Sequence, residues 1–420
     1  MKHSLLLVCI LSVAFKLSAQ TTAPLSLEDC YKLARQNYPL INQKGLIEKS
    51  RQYAVANISK ANLPQLSVNG QATYQSGVTE IPIKIPNTNM PSLSKDQYKL
   101  YAELNQSLFD GGVKKIEKQS IEAHAAVDQQ KLEVELYKLK ERINQLFFGI
   151  LLANEQLVQT QLLKKDIEIG IGKVNAAIAN GTALKSSADA LQAELLKADQ
   201  RSIELKSVSQ AYRDMLGQFI NRSIDDQAVL EKPAKLAVSQ TISRPELSLY
   251  DTEKKSLAIQ TDLIKAKNLP KAGLFFQGGL GRPALNMLKN DFAAYYIGGA
   301  KISWSLSGLY TAKKDKALLH IKSKTVDQQK ELFLFNTSLT LKKQNAEISK
   351  LEELIRSDND IIQLRIRIKN TALAQLEYGV INSNDYLREV NAEDQAKQNQ
   401  LLHEIQLLMA QYDQQTTAGK

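Results

Sequence analysis

Two segments in the first half of the chain alternate strictly between apolar and polar residues. The run "LPQLSVNGQATYQSG" begins at Leu63. Its apolar positions are Leu66, Val68, Ala72 and Tyr74. In the next run Leu100, Ala102 and Leu104 alternate with Tyr101, Glu103 and Asn105. A period of two is typical of β-strands with one apolar and one polar face. We therefore predict strands over about residues 64–76 and 97–109.

The second half repeats this arrangement. The runs "KAGLFFQGGLG" from Lys271 and "AAYYIGGAKISWSLS" from Ala293 predict strands over about 271–281 and 293–306. In the last strand one face carries Tyr296, Gly298, Ala300, Ile302 and Trp304. The chain is therefore expected to contribute four strands.

Long helical patterns follow each pair of strands. One seam advances by alternating steps of four and three residues: Leu132, Leu136, Leu139, Ile143, Leu146, Ile150, Ala153 and Leu157. A second recurs every seven residues: Leu334, Leu341, Ile348, Ile355 and Ile362. Both are typical of left-handed coiled coils. From Gly112 to Asn180 is nearly seventy residues, so the first helix would reach roughly 100 Å at 1.5 Å per residue.

Glycines mark the place where each long helix is expected to reverse. The stretches "AIANGTALKSS" and "LEYGVINSNDY" place Gly181 and Gly379 between helical patterns. Glycine adopts the left-handed conformation that ends many helices. We predict hairpin tips at about 180–182 and 378–382.

These elements divide the chain into two similar repeats. The first, residues 25–220, opens with Ser26 as an N-cap and Asp29 as the acid of a capping box, followed by a helix to about Ala61. A polar connector with two prolines occupies 221–246 and is expected to pack against the helices. The second repeat spans 247–415, and a tail spans 416–420.

The first twenty residues, "MKHSLLLVCILSVAFKLSAQ", predict a secretory signal peptide over 1–19. The alternative, a retained membrane helix, is disfavoured because the apolar run is about half of the ~20 residues needed to cross a bilayer. Cys9 would leave with the signal, so Cys30 would be the one cysteine of the mature chain. It lies on an apolar helix face and is predicted to be a small core residue.

Composition argues against several classes of protein. Aromatic residues make up only 6% of the 420 residues, which suits long helices. Loss of Lys2 and Lys16 with the signal would lower the formal charge from +10 to +8. The lysines interleave with glutamates and no basic cluster carries interleaved aromatics, so nucleic acid is not expected as a partner.

The chain shows no convincing catalytic, cofactor or metal motif. His3, His124, His320 and His403 are far apart, which leaves no metal-binding pair. "GGLGRP" at Gly278 lacks the Lys-Ser/Thr ending of a phosphate loop. We therefore expect a protein that is not an enzyme, with no cofactor.

Four strands do not close a sheet with a lumen. Half-buried strands of an ordinary antiparallel sheet would show the same alternation, so the strands alone leave that reading open. In a membrane, however, an open sheet edge would leave backbone groups unsatisfied in hydrocarbon, and several chains would have to contribute strands to one barrel.

In combination, these features resemble the outer-membrane efflux protein (TolC) family over residues 25 to about 412. The resemblance rests on "LSLEDCYKLARQNYPLI", "LPQLSVNGQATY", "QSLFDGG", "MLGQFINRSIDDQAVLEKP" and "EYGVINSNDYLREVNAE", in this order. It implies a mainly α-helical chain with a membrane β-barrel. Three chains would form a homotrimer with a 12-stranded barrel that continues as a periplasmic α-helical tunnel.

The resemblance also implies a location and a function. The protein would lie in the outer membrane of a Gram-negative bacterium, contact its lipid and extend into the periplasm. It would be the exit duct of a tripartite efflux pump or type I secretion system, working with a periplasmic adaptor (membrane fusion protein) and an inner-membrane transporter. The alternative is a periplasmic coiled-coil adaptor or scaffold without a channel. Two hairpins and two strand pairs favour the duct.

Several residues receive candidate roles from this comparison. At the tips these are Gly181, Thr182, Gly379 and Val380, which would meet the adaptor. At the passages from strand to helix they are Asp110, Gly111, Gly112 and Gly308. Asp385 and Arg388 are candidates for a periplasmic constriction, with helix capping as the alternative role of Asp385. The sequence departs from the family pattern at "SLSGLYTAKK", which keeps only Gly308, and at Ser187, where an acidic residue is common.

Overall fold

The computed structural model describes residues 24–79 and 93–420. The predicted signal peptide lies outside the described residues, as does much of the loop between the first two strands. The helices are α1 (Leu27–Asn37), α2 (Gln43–Lys60), α3 (Val113–Tyr137), α4 (Leu139–Ala179), α5 (Lys185–Ile220), α6 (Pro245–Lys267), α7 (Gly308–Glu377) and α8 (Ser383–Ala418). The strands are β1 (Gln65–Tyr74), β2 (Asp96–Phe109), β3 (Lys271–Arg282) and β4 (Ala293–Ser303).

The described chain forms two compact units. One comprises residues 24–41, 135–244 and 334–420, and we call it the hairpin unit. The other comprises 42–79, 93–134 and 245–333, and we call it the sheet unit.

The sheet unit contains one antiparallel sheet in the order β1-β2-β3-β4. Its register aligns Leu66 with Leu104, Leu104 with Phe276 and Phe276 with Gly298. The register shifts once, between Ser107 and Phe109, close to the end of β2. All four predicted strands are present, and β4 ends at Ser303, three residues earlier than predicted.

The first helical segment differs from the prediction of one helix up to Ala61. α1 ends at Asn37, and a short 3-10 helix, Pro39–Asn42, separates it from α2. Proline lacks the N–H that a continuous helix needs and its ring disfavours the helical conformation of the preceding residue, so Pro39 explains the break. Ser26 caps α1 as predicted, accepting from the Asp29 N–H at 3.1 Å. Asp29 instead accepts a hydrogen bond from the Ser26 hydroxyl at 2.6 Å.

The hairpin unit is built from the predicted coiled-coil seams. Along the first seam Leu136, Leu139, Ile143, Ile150 and Ala153 are buried in this unit, and Leu132 is buried in the sheet unit. Leu341, Ile348 and Ile362 are buried along the second. α7 runs for 70 residues, and the nearly continuous α3 and α4 meet at Lys138, whose backbone stays helical. Cys30 is fully buried as predicted, and burial, with a contribution from Asp29, raises the pKa of its thiol to about 12.

The connector packs on α8, as expected, and glutamines hold its backbone. The N–H groups of Leu236 and Ser239 donate to the side chains of Gln411 and Gln414 at 3.1 Å each. Gln414 also donates to the Ser239 carbonyl at 2.6 Å. The predicted tail at 416–420 is wrong in part, because α8 continues to Ala418 and Gly419 ends it with a φ of 99°.

Candidate functional site

One face of the sheet is apolar and exposed. Its side chains run across all four strands: Leu66, Val68, Tyr74, Leu100, Leu104, Leu274, Phe276, Leu280, Tyr296 and Ile302. Their exposed fractions run from 40% at Leu104 to 79% at Tyr74 and Ile302. A contiguous apolar surface of this kind marks a partner or membrane contact in a folded protein.

The opposite face of the sheet carries polar residues. Gln71, Thr73, Glu103, Asn105 and Lys301 all lie on this face by their register. Gln71 is aligned with Lys99, and Asn105 donates to Glu103 at 2.8 Å. Charges of both signs therefore share the surface.

Both edges of the sheet are unpaired within the described residues. β1 pairs only with β2, and β4 pairs only with β3. The N–H and C=O groups on their outer sides need partners if the sheet is placed in lipid.

The first passage from strand to helix is capped by Asp110. Its carboxylate accepts from the N–H groups of Gly112 and Lys114 at 2.9 and 3.0 Å. Gly111 and Gly112 have φ values of 75° and 81°. A Cβ on Gly111 would lie 2.7 Å from the Ala266 carbonyl oxygen, so this glycine is also required for close packing.

The second passage is arranged around Asn268. A Cβ on Gly308 would lie 2.2 Å from Asn268 Oδ1, so a larger residue there would require the Asn268 side chain to move. The Trp304 indole N–H donates to the Asn268 carbonyl oxygen at 3.0 Å. In the first repeat, Gln106 donates to the Asn62 carbonyl oxygen at 3.0 Å.

Asn62 and Asn268 were not among the residues predicted from the sequence. Both belong to the tripeptide Asn-Leu-Pro, which occurs at 62–64 and again at 268–270. The repeated tripeptide was the sequence signal that could have identified these two asparagines. Each copy precedes a strand. Each asparagine carbonyl accepts a hydrogen bond from a side chain near the end of the neighbouring strand of its own repeat.

The two hairpin tips share one geometry. Gly181 and Gly379 have φ values of 73° and 70°. Thr182 N–H donates to the Ala177 carbonyl at 2.9 Å, and Val380 N–H donates to the Gln375 carbonyl at 2.8 Å. The glycine N–H groups bond to Ile178 and Leu376 at 2.9 and 3.1 Å. Both tips are therefore Schellman motifs.

A groove of about 670 Å³ is lined by residues of both tips. Gly181, Thr182, Gly379 and Val380 all contribute to it. Tyr378 beside it is 83% exposed, and Leu184 and Val380 are also exposed. The predicted tip residues thus come together at an accessible surface that carries both polar and apolar side chains.

The returning helices start differently. Asn382 caps α8, accepting from the N–H groups of Asn384 and Asp385 at 2.9 and 3.0 Å. Asp385 lies in the first turn of α8, where its charge is favourable with the helix dipole, and Asn382 is the residue at the N-cap. Arg388 lies 3.6 Å from Asp385 and 3.0 Å from Glu389. The N-cap residue of α5 is Leu184, whose side chain makes no capping hydrogen bond.

A buried ionic cluster joins three helices of the hairpin unit. Lys369 of α7 contacts Asp166 of α4 at 2.8 Å and Glu393 of α8 at 3.2 Å. Burial opposes the charge of Lys369, but hydrogen bonds and attraction to the two carboxylates outweigh it and raise the pKa. The side chain of Glu393 is only 3% exposed, and Lys397 contacts it at 2.5 Å. Sequence spacing could not reveal this cluster, because its members are far apart in the chain.

No helix in 24–79 and 93–420 has an apolar stretch sufficient to cross a bilayer. No group of three or more His, Cys, Asp or Glu side chains in these ranges is arranged to hold a metal ion.

Solved structures share this fold over most of the chain. The outer-membrane channel OprN matches with a TM-score of 0.66 and 11% identity, covering 94% of this chain and 89% of that one. The CmeC outer membrane channel of Campylobacter jejuni matches with a TM-score of 0.64 and 12% identity, covering 94% and 85%. The open state of the Neisseria gonorrhoeae MtrE outer membrane channel matches with 0.57 and 15%, covering 94% and 89%.

Comparison of sequences adds nothing further. No family model matches the chain, and no curated protein matches it. The likeness at 11–15% identity is one of fold. The structure therefore confirms what the sequence resemblance predicted: the chain has the fold of the TolC-type outer-membrane channels.

Proposed function

We propose that this chain is an outer-membrane exit duct of a tripartite efflux pump or a type I secretion system. It conducts substrates passively from the periplasm or the pump to the outside. The observation that supports this most directly is the sheet, which has an exposed apolar face, a polar face with mixed charge and two open edges. Lipid suits the first face and water the second.

In this proposal three chains close one barrel of twelve strands. The open edges of β1 and β4 would pair between neighbouring chains, which removes unsatisfied backbone groups from the hydrocarbon. The lining of Gln71, Thr73, Glu103, Asn105 and Lys301 solvates many solutes and selects few. Energy for transport comes from an inner-membrane transporter, joined through a periplasmic adaptor.

Membrane extraction and size test the duct against the adaptor or scaffold. The duct should fractionate with outer membranes, resist a high-salt wash and require detergent. Its mass in mild detergent should be that of a trimer, and it should conduct ions in a planar bilayer. Release by salt alone, or a monomer that keeps its strand content, would support the scaffold.

The tips are proposed to contact the adaptor through their exposed apolar residues and glycines. Val380→Asp places a charge on an exposed side chain of the second tip and should abolish capture of the adaptor. The matched control is Val229→Asp, because Val229 is equally exposed and lies outside the helices. Equal loss of capture in both variants would argue against a tip interface.

Asp385 is proposed to form a ring of three carboxylates that attracts cations at the periplasmic mouth, with Arg388 pairing to it. Asp385→Ala should lower the conductance and the preference for cations. Asn382→Ala is the control, because it weakens the start of the same helix but keeps the carboxylate. Unchanged cation preference in Asp385→Ala would exclude the ring.

A further inference from the structure

Lysines are concentrated where the helices leave the sheet. α3 carries Lys114, Lys115 and Lys118 within its first six residues. α7 carries Lys313, Lys314 and Lys316 within its first nine. The two sets occupy corresponding places in the two repeats.

This placement opposes the helix dipole. The N-terminal end of a helix carries partial positive charge and favours acidic residues. Neither α3 nor α7 has an acidic residue in its first turn, whereas α1 and α8 do. The helices that directly precede β1 and β3 also end in basic residues, Lys60 in α2 and Lys265 and Lys267 in α6. The junction therefore holds these nine lysines and the four carboxylates of Asp110, Glu117, Asp262 and Asp315, which leaves an excess of positive charge.

Exposed aromatic side chains lie at the same level. Trp304 follows the last residue of β4 on the apolar face and is exposed. Tyr310, in the first turn of α7, is 83% exposed. Lys313 and Lys314 follow Tyr310 by three and four residues, so all three side chains share one side of the helix. Aromatic residues with flanking lysines are the usual composition of a membrane–water interface.

We propose that the lysines of this junction form a belt that binds the anionic headgroups of phospholipids in the periplasmic leaflet. This proposal rests on the proposed function, because it requires the apolar sheet face to lie in the outer membrane. The aliphatic stems of the lysines lie along the edge of the apolar face of the sheet, and their ammonium groups reach the lipid phosphates. Each ammonium offers three donors to phosphate oxygens, and the attraction is weakened by salt.

The test compares two sets of four substitutions. The belt variant combines Lys115→Gln, Lys118→Gln, Lys313→Gln and Lys314→Gln. The control combines Lys49→Gln, Lys206→Gln, Lys342→Gln and Lys343→Gln, with the same change of charge elsewhere. All eight side chains are exposed, and none makes an ion pair within the described residues.

Purified protein is reconstituted with phosphatidylcholine containing a minority of fluorescent phosphatidylglycerol, and the lipid retained in the first shell is quantified. We expect the unaltered chain and the control to enrich phosphatidylglycerol in the first lipid shell. In the belt variant this enrichment should be lower by about threefold or more. Raised salt should abolish the preference in all three.

Two results would overturn the belt. An equal preference for phosphatidylglycerol in the belt variant and the control would exclude these lysines as the cause of that preference. A belt variant with unchanged lipid preference but altered anion selectivity in a planar bilayer would place these lysines along the conducting path. Insertion into pure phosphatidylcholine is scored separately, because failure there contradicts the exit duct and with it the belt.

Discussion

Asp413 is a partly buried carboxylate whose ionisation is predicted to destabilise the fold. It lies on α8 and accepts a hydrogen bond from Asn144 Nδ2 at 2.7 Å, while Asn144 accepts from the Tyr31 hydroxyl. Burial raises the pKa of Asp413 from 3.8 to about 6; the Glu141 carboxylate adds to this rise and the Asn144 hydrogen bond opposes it. Within the described residues Asp413 makes no ion pair, so Asp413→Asn should relieve the penalty.

The size of the effect follows from proton linkage. Because the folded pKa lies above the unfolded value, the folded state binds the proton more tightly. The resulting stability is present below about pH 4 and is lost as the pH rises to about 6. A shift of about 2 pKa units corresponds to roughly 3 kcal/mol. Between about pH 4.5 and pH 7.5 the loss is about 2 kcal/mol, and an asparagine at 413 escapes it while still accepting from Asn144.

Thermal unfolding in detergent, followed by far-ultraviolet circular dichroism at both pH values, measures this difference. An unfolding entropy of about 2.1 cal/mol/K per residue over 420 residues is roughly 0.9 kcal/mol/K. The Tm difference between Asp413→Asn and the unaltered protein should therefore be about 2 °C more favourable to the variant at pH 7.5 than at pH 4.5. Asp360→Asn, an exposed change on α7, should show no such gain. An equal Tm change at both pH values for Asp413→Asn would refute the reasoning.

Three further substitutions test the local geometry by the same thermal unfolding. Gly170→Ala would place a Cβ 2.6 Å from Tyr386 Cε1 and should destabilise by about 1–3 kcal/mol; Gly172→Ala, in open space on the same helix, should be neutral or stabilising by up to about 1 kcal/mol. The reverse order would contradict the close packing. Asn382→Ala should cost about 1 kcal/mol through the lost cap, and Asn382→Ser should restore most of it. Gly379→Ala should cost about 1–2 kcal/mol because its φ is 70°; no loss would mean that the tip rearranges.

Local periodicity was enough to predict much of the fold. The alternation of Leu66 and Val68 with polar neighbours placed β1 and both of its faces, because successive side chains of a strand point to opposite sides. The seven-residue spacing from Leu341 to Ile348 placed the coiled-coil seam. Gly181 and Gly379 placed the tips, because a positive φ is costly for other residues.

Features that depend on distant residues were not predictable in this way. Lys369 meets Asp166 and Glu393 only after three helices have packed. The Trp304 indole reaches the Asn268 carbonyl oxygen only after residues 36 positions apart have been brought together. Pro39 was a local sequence signal for a helix break. The break was not predicted because the helical periodicity on both sides of Pro39 outweighed that signal.

The glutamine contacts of the connector have a consequence for how this segment tolerates change. Gln411, Gln414 and Gln415 bind main-chain groups of residues 236–239, and every amino acid except proline presents the same main-chain groups. Replacement of one connector side chain by another therefore leaves the attachment intact. A residue inserted between Leu236 and Ser239 displaces one anchor from its glutamine, and a proline at either position removes a donor. Its exposed positions should accept substitutions freely while the buried Ile224, Leu230 and Ser239, the length of the segment and the glutamines opposite it stay fixed.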